Sequence, residues 1–259
     1  MQTLVGHSKE VRCLDILSNG QLISGSNDNT IKIWNSEKVE CARTLNSNNY
    51  YVICLKVLPG NRVAIGTYQN IFVWDINTGK CISTLKGHTH WVRCLIAMPD
   101  GTLISCSQDK TIKYWDKTNG TCIRTLHGHS AAVLCLLSLK NGDLASGSHD
   151  KTVKIWNKNS IQTLEGHTDS IWGLEFTDKH DLISCSKDTS IKIWSLINGQ
   201  CITNLLGHKH SVYSIKALSN DVLYSSSSDN TIKIWNLNSG LCINTLSGHQ
   251  NVVTTLNFI

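Results

Sequence analysis

Residues 87–116 read GHTHWVRCLIAMPDGTLISCSQDKTIKYWD, and the spacing within this stretch decides the fold. His88 is followed by Asp109 after 21 residues and by Trp115 after a further 6. The spacing occurs five times, in His7/Asp28/Trp34, His88/Asp109/Trp115, His129/Asp150/Trp156, His167/Asp188/Trp194 and His208/Asp229/Trp235. A constant spacing at a period of about 41 residues indicates one structural unit copied along a single domain.

Each copy predicts four short antiparallel strands. The run before each tryptophan, such as TIKYW at 111–115, alternates apolar and polar residues as strands do. A Ser-rich strand precedes it, as in TLISCS at 102–107, and the aspartate lies in the turn between the two. Strands after the Gly-His pair and after the tryptophan, such as WVRCLIAM at 91–98 and CIRTL at 122–126, complete an all-β unit.

These repeats resemble the WD-repeat β-propeller family, whose signature is Gly-His followed by Trp-Asp. The literal Trp-Asp pair occurs at Trp74-Asp75 and Trp115-Asp116. The resemblance implies a seven-bladed-type β-propeller with six complete four-stranded blades and an incomplete closing blade. It also implies a hydrogen-bonded chain inside each blade, formed here by residues such as His88, Ser105 or Ser107, Asp109 and Trp115.

The predicted blades cover residues 5–45, 46–86, 87–127, 128–165, 166–206 and 207–247, with 1–4 and 248–259 in the closing blade. Two strands of that closing blade are absent, and exposed strand edges favour association. We therefore expect either a fragment of a longer protein or ring completion by missing chain or partner strands.

The second repeat departs from the pattern. Asn48 stands where the histidine would fall, and its hairpin, GTYQN at 66–70, is one residue shorter and lacks the aspartate, while Trp74 remains. The joint loss predicts that the polar ends of the chain act as a unit.

Composition excludes several classes of protein. The net charge of +5 is spread through the repeats and does not favour nucleic-acid binding. No apolar run is long enough for a membrane span, and no secretory signal begins the chain. The eleven cysteines recur at repeat positions, which predicts small buried hydrophobes in a reducing compartment. We expect the cytoplasm, with the nucleus as alternative, and no secretion.

The residues do not favour catalysis. Ser, His and Asp occur in every full repeat, but an enzyme needs one activated nucleophile and not five copies. The pairs His88/His90, His127/His129 and His208/His210 could bind a metal, yet one member of each is the structural histidine of its repeat. We expect no enzyme activity, no metal and no cofactor.

The candidate binding residues are those that vary while the framework holds. The resemblance places the start of the first strand of each blade at the mouth of a central channel. Alternate residues there share one side, and aromatic and arginine side chains are typical of interaction sites. With one turn residue added, the predicted partner-binding residues are Arg12, Tyr51, Trp91, Arg93, Trp172, Lys187 and Tyr213. The alternative, that these aromatics only fill the channel, stays open.

The sequence thus predicts a non-enzymatic scaffold that binds protein or peptide partners on the top face. Arg12, Arg93 and Lys187 favour acidic or phosphorylated partners, although Glu10 and Asp169 dilute that charge. Two alternatives are a substrate-recognition subunit of a ubiquitin ligase that reads such a segment and a sensor module of a larger enzyme. No tryptophan is followed three residues later by arginine, so the Trp-Asp-x-Arg motif for cullin ligases is missing.

Overall fold

The computed structural model describes residues 3–35, 37–177, 181–219, 221–249 and 251–256. These residues form strands and turns, and no helix occurs among them. The described part of the chain accordingly holds no helix of a length and hydropathy that would cross a membrane. The chain divides into two compact units, Met1–Gly128 with Ile259 and His129–Phe258.

The first unit contains eleven strands among its described residues. They are β1 (Val11–Ile16), β2 (Leu22–Ser26), β3 (Thr30–Asn35), β4 (Glu40–Asn46), β5 (Cys54–Leu58), β6 (Arg62–Gly66), β7 (Tyr68–Asp75), β8 (Lys80–Ala97), β9 (Leu103–Ser107), β10 (Ile112–Trp115) and β11 (Cys122–Leu126). β1 to β4 form one antiparallel sheet, and β5 to β11 form a seven-stranded sheet in sequence order.

The seven-stranded sheet joins the second and third predicted blades. β8 is 18 residues long; its first part pairs with β7 and its last part with β9. The link between the parts is the pairing of Tyr68 with Trp91, supported by a hydrogen bond from Gln69 Nε2 to the Thr89 carbonyl of 3.0 Å. The two repeats therefore share a continuous strand.

The second unit contains twelve strands among its described residues. They are β12 (Val133–Ser138), β13 (Leu144–Ser148), β14 (Val153–Trp156), β15 (Ile161–Leu164), β16 (Ile171–Phe176), β17 (Asp181–Ser186), β18 (Ile191–Ser195), β19 (Cys201–Leu205), β20 (Val212–Ser219), β21 (Val222–Ser227), β22 (Ile232–Asn236) and β23 (Leu241–Leu246). They form three four-stranded antiparallel sheets, each in sequence order.

Within each unit the core lies between neighbouring sheets. The second and third strands of each sheet carry most of the fully buried side chains, including Ile23, Trp115 and Trp194. Neighbouring repeats approach so closely that a Cβ added at Gly25 would lie 2.4 Å from Cγ1 of Val52, which precedes β5. Glycine is required there because no side chain fits.

The described residues near both ends lie outside strands. Residues 3–10 have no strand pairing, and neither do residues 251–256. The latter run beside the last sheet, since the Val253 amide donates to the Ser227 carbonyl at 3.4 Å and the Leu256 amide to Ser214 Oγ at 3.2 Å. Part of the predicted closing blade, residues 1–2, 250 and 257–259, lies outside the described residues, and this blade stays a prediction.

None of the eleven cysteines forms a disulfide, but their burial differs. Cys54, Cys106, Cys135 and Cys185 are buried as predicted. The prediction is wrong for Cys122, Cys201 and Cys242, which are exposed because they lie on β11, β19 and β23, at the edges of their sheets.

Candidate functional site

The five complete repeats each contain one hydrogen-bonded polar chain. In the third repeat, His88 Nδ1 lies 2.7 Å from Asp109 Oδ2, and His88 Nε2 lies 2.7 Å from Ser105 Oγ. Trp115 Nε1 donates to the same Ser105 Oγ at 2.8 Å. The carboxylate accepts from a protonated Nδ1, so Nε2 accepts the serine proton. Each member thus has a partner, and the implied family chain is present with Ser105 as its serine.

The aspartate of this chain is held ionised. Burial raises the pKa of Asp109, but hydrogen bonds from His88, Thr111 and the Thr89 amide together lower it by more than burial raises it. The net pKa of Asp109 is well below its usual range. The same balance lowers the pKa of the corresponding aspartates Asp28, Asp150, Asp188 and Asp229. The carboxylates are structural anions because their charge is stabilised by fixed donors.

The Ser-His-Asp contacts have the connectivity of a catalytic triad, but the serine is inaccessible. Ser105 is fully buried, and its hydroxyl oxygen is engaged by the Trp115 indole. A nucleophile must reach its substrate, and this one is enclosed within the sheet.

The histidines considered as metal ligands have other partners. Both ring nitrogens of His88, His129 and His208 are occupied by their serine and aspartate. No group of three or more His, Cys, Asp or Glu suited to a metal ion occurs within the described ranges.

The second repeat lacks the whole polar chain except its tryptophan. In the first repeat, the serine of the polar chain, Ser24, pairs with Lys32, two residues before Trp34. In the second repeat, Ile65 pairs with Phe72, two residues before Trp74, and so occupies the serine position. The buried Ile65 thus replaces the serine, and buried Trp74 Nε1 has no hydrogen-bond partner among the described residues. Asn48, the residue at the histidine position, is exposed. The middle of the chain was therefore lost together with its ends.

The first unit holds a group of aromatic and basic residues near the starts of β1, β5 and β7 and in the last part of β8. We call this group the first cluster: Lys9, Arg12, Tyr51, Tyr68, His90, Trp91 and Arg93. Tyr51 stacks on Trp91 with ring centroids 6.4 Å apart and 16° between planes. Tyr68 meets Trp91 edge-on at 5.0 Å, and both tyrosines are more than two-fifths exposed, at 44% and 43%. Three large rings therefore meet at the surface.

The first cluster also contains basic side chains. Lys9 Nζ lies 5.6 Å from the Tyr51 ring centre. Burial lowers the pKa of Arg93, and the nearby positive charge of Arg12 lowers it further. Arg12 also contacts Glu10 Oε2 at 3.4 Å, a long exposed contact worth little. The two guanidinium groups repel each other, and an anion placed between them would relieve that repulsion.

The second unit holds a second cluster, formed by His149, Ser170, Trp172, Lys187 and Tyr213. Trp172 and Tyr213 have ring centroids 5.4 Å apart, and His149 meets Trp172 edge-on at 5.5 Å. Lys187 forms an exposed ion pair with Asp169 at 3.5 Å. This pair weakens the expected positive character.

Of the predicted residues, the structure places Tyr51 against Trp91 and Arg12 near Arg93 in the first unit, and Trp172 against Tyr213 in the second. Lys187 is paired with Asp169. Sequence reasoning missed Tyr68, His90, Lys9 and His149's contact with Trp172. The signal for Tyr68 was the degraded hairpin itself, since an exposed tyrosine at 66–70 replaces the polar turn found in the other repeats.

Comparison with known families matches the model described as "WD domain, G-beta repeat" to residues 1–35, 79–116, 120–157, 158–195 and 199–236. These matches cover well over half of the chain. The longest stretch without a match within the repeats, 36–78, contains the degraded second repeat. The predicted fold class, an all-β β-propeller, is confirmed.

Relatives match over a short segment. The p21-activated protein kinase-interacting protein 1-like of Xenopus laevis is 32% identical over 62 residues, 24% of this chain and 17% of that protein. The WD repeat-containing protein 3 homolog of Dictyostelium discoideum is 32% identical over 63 residues, 24% of this chain and 6% of that protein. The matched segment thus spans less than a fifth of either relative.

Proposed function

Because the chain belongs to the WD-domain, G-beta-repeat family, we propose that it is a non-enzymatic scaffold that binds protein or peptide partners through the first cluster. The observation that carries this proposal is the ring group Tyr51, Tyr68 and Trp91, with both tyrosines exposed and Lys9 over the Tyr51 ring. Aromatic and arginine side chains provide most of the energy of interaction hot spots. The relative named as a kinase-interacting protein supports protein partners as the class.

We propose further that the preferred partner segment is acidic or phosphorylated. Lys9 lies over the Tyr51 ring, and Arg93, two residues after Trp91 on β8, is close enough to Arg12 for their charges to interact. Glu10 is the acidic residue in contact with Arg12. Arginine binds carboxylate and phosphate groups with paired hydrogen bonds. A substrate receptor of a ubiquitin ligase would bind its substrate through the same surface. The proposed location is a reducing compartment, either the cytoplasm or the nucleus.

The test is a peptide array in which each sequence appears in phosphoserine, glutamate and serine versions. Segments bound by the native chain are measured again by calorimetry with Trp91→Ala/Arg93→Ala. Losing a hot spot costs about 2 kcal/mol or more, so affinity should fall by about 30-fold or more. Ile123→Ala, on exposed Ile123 of β11 outside the first cluster, is the control and should bind as the native chain does.

Two results would contradict the proposal. A folded double variant that keeps every peptide would remove the first cluster from binding. Equal binding of phosphoserine, glutamate and serine versions would remove the preference for negative charge. A matching Trp172→Ala variant reports separately on the second cluster.

A further inference from the structure

A cavity of the first unit lies between the second and third repeats, and none of the residues of the first cluster lines it. Its volume is about 500 Å³, within the range of ligand sites. Leu58, Pro59, Leu85, Leu103 and Trp115 form apolar walls, with charged side chains also lining it.

The cavity exists because β8 carries a small residue at one position. Ser83 pairs with Val73, the residue before Trp74. At the corresponding position of β4, Arg43 pairs with Ile33, the residue before Trp34. The turn glycines confirm the correspondence. A Cβ on Gly79 would meet Arg43, and one on Gly120 would meet Ser83 Oγ at 3.2 Å.

In the groove between the first two repeats, the arginine fills the space. Arg43 Nη1 donates to the Ile76 carbonyl and to the Asn77 carbonyl, the latter at 2.9 Å, and a cavity of only about 230 Å³ remains. The fourth repeat places Gln162 at this position, against the turn glycine Gly199. An arginine stem and head therefore fit this kind of groove.

The open groove keeps the features that hold Arg43. The residues that correspond to Ile76 and Asn77 are Lys117 and Thr118, and both line the cavity. Two carboxylates, Asp100 and Asp116, lie at its edge, and hydrogen bonds from neighbouring threonines lower the pKa of each. Of the cationic groups, Arg62 is held to the Pro59 carbonyl and Lys117 to the Asp100 carbonyl, each at 2.9 Å.

The neighbouring strand favours an extended peptide as the source of the arginine. Residues 80–86 of β8 pair with β7, and within the described ranges no strand pairs with their other edge. A free edge beside a side-chain pocket is the arrangement used by proteins that bind extended peptides. Ile82, 52% exposed, adds apolar surface there.

We propose that the groove beside Ser83 binds an arginine side chain supplied by an extended segment of a partner protein. The arginine takes the place that Arg43 occupies in the preceding groove. This site lies outside the first cluster, so it would give the scaffold a second, independent contact with partners.

The probe is a fluorescein-labelled heptapeptide, Glu-Ser-Ala-Arg-Thr-Leu-Asn, copied from Glu40–Asn46 with serine for Cys41. Two matched peptides carry citrulline or leucine for the arginine. We expect the arginine peptide to bind the native chain with anisotropy reporting one site, and both other peptides to bind at least tenfold more weakly.

Two variants locate the site. Ser83→Arg should fill the groove from within and lower binding at least tenfold, while Thr203→Arg, at the corresponding position of β19, should not. Arg43→Ser should open the preceding groove and raise the stoichiometry from one to two. This second variant keeps the test decisive if Ser83→Arg does not fold.

The proposal is overturned if the arginine peptide does not bind the native chain, or if the leucine or citrulline peptide binds equally well. It is also overturned if folded Ser83→Arg binds the arginine peptide as the native chain does and Arg43→Ser still binds only one peptide. Trp91→Ala/Arg93→Ala should bind the heptapeptide as the native chain does. Failure of the first cluster and failure of this groove are therefore distinguishable.

Discussion

Replacing Ser105 by alanine tests whether the polar chain stabilises the fold as the structure indicates. Ser105 Oγ is the meeting point of Trp115 Nε1 at 2.8 Å and His88 Nε2 at 2.7 Å. Alanine removes that oxygen and leaves two buried ring groups without their partner. Each unsatisfied buried group costs about 1–3 kcal/mol, so Ser105→Ala should lower the free energy of unfolding by about 3 kcal/mol.

The assay is guanidinium unfolding followed by tryptophan fluorescence and circular dichroism. Ser138→Ala, on exposed Ser138 of β12, is the matched control and should change the free energy by less than about 0.5 kcal/mol. A double-mutant cycle with Trp115→Phe isolates the indole bond, because phenylalanine keeps a ring but has no donor.

The cycle should give a coupling energy of about 1 kcal/mol between Ser105 and Trp115. The reasoning is refuted if Ser105→Ala costs no more than Ser138→Ala. It is also refuted if the two substitutions add without coupling, because the bond from the indole would then contribute nothing.

Three further predictions follow from other parts of the chain. In the second repeat, Ile65→Ser should lower the free energy of unfolding by about 1 kcal/mol less than Ile65→Ala, because the serine hydroxyl can accept a hydrogen bond from Trp74 Nε1. Equal decreases in stability of the two variants, measured by thermal unfolding, would argue against this. The aspartates of the polar chains have folded pKa values below 3.8 and His208, lowered chiefly by burial, has one below 6.5. Both kinds of group bind protons more weakly in the folded state than in the unfolded state, so the stability present above the unfolded pKa is lost as the pH falls. The urea midpoint of unfolding should therefore drop from pH 7 to 5, through His208, and again from pH 5 to 3, through the aspartates. A constant midpoint would contradict the assignment. Iodoacetamide should label Cys122, Cys201 and Cys242 in the native state. Cys54 and Cys185 should be labelled only after unfolding, because burial shields their thiols and raises their pKa. Peptide mass spectrometry measures the labelling of each cysteine.

The spacing predicted the fold because each polar chain needs its members at fixed places in a four-stranded sheet. His88, Asp109 and Trp115 meet because the last part of β8, β9 and β10, joined by two turns, bring them together. Strand alternation likewise predicted that Tyr51 and Trp91 share a side, and Trp172 and Tyr213 do so in the second unit.

Other features could not be read from the pattern because they depend on contacts where the pattern fails. Tyr68 joins the first cluster through a hairpin that lost its aspartate, and nothing in the spacing predicts its pairing with Trp91. The exposure of Cys122 depends on its place at a sheet edge. The cavity beside Ser83 becomes visible only when register aligns this residue with Arg43.

The long strand β8 has a consequence for how the protein loses its structure. In a repeat protein whose sheets are separate, opening can begin in one repeat and stop at its boundary. Here the pairing of Tyr68 with Trp91 crosses from the second repeat to the third within Lys80–Ala97, so opening either repeat also breaks this shared pair. Amides of β6 and β10 should therefore exchange with deuterium at similar rates, as one cooperative block. The unit that was duplicated and the unit that unfolds are then different pieces of the chain.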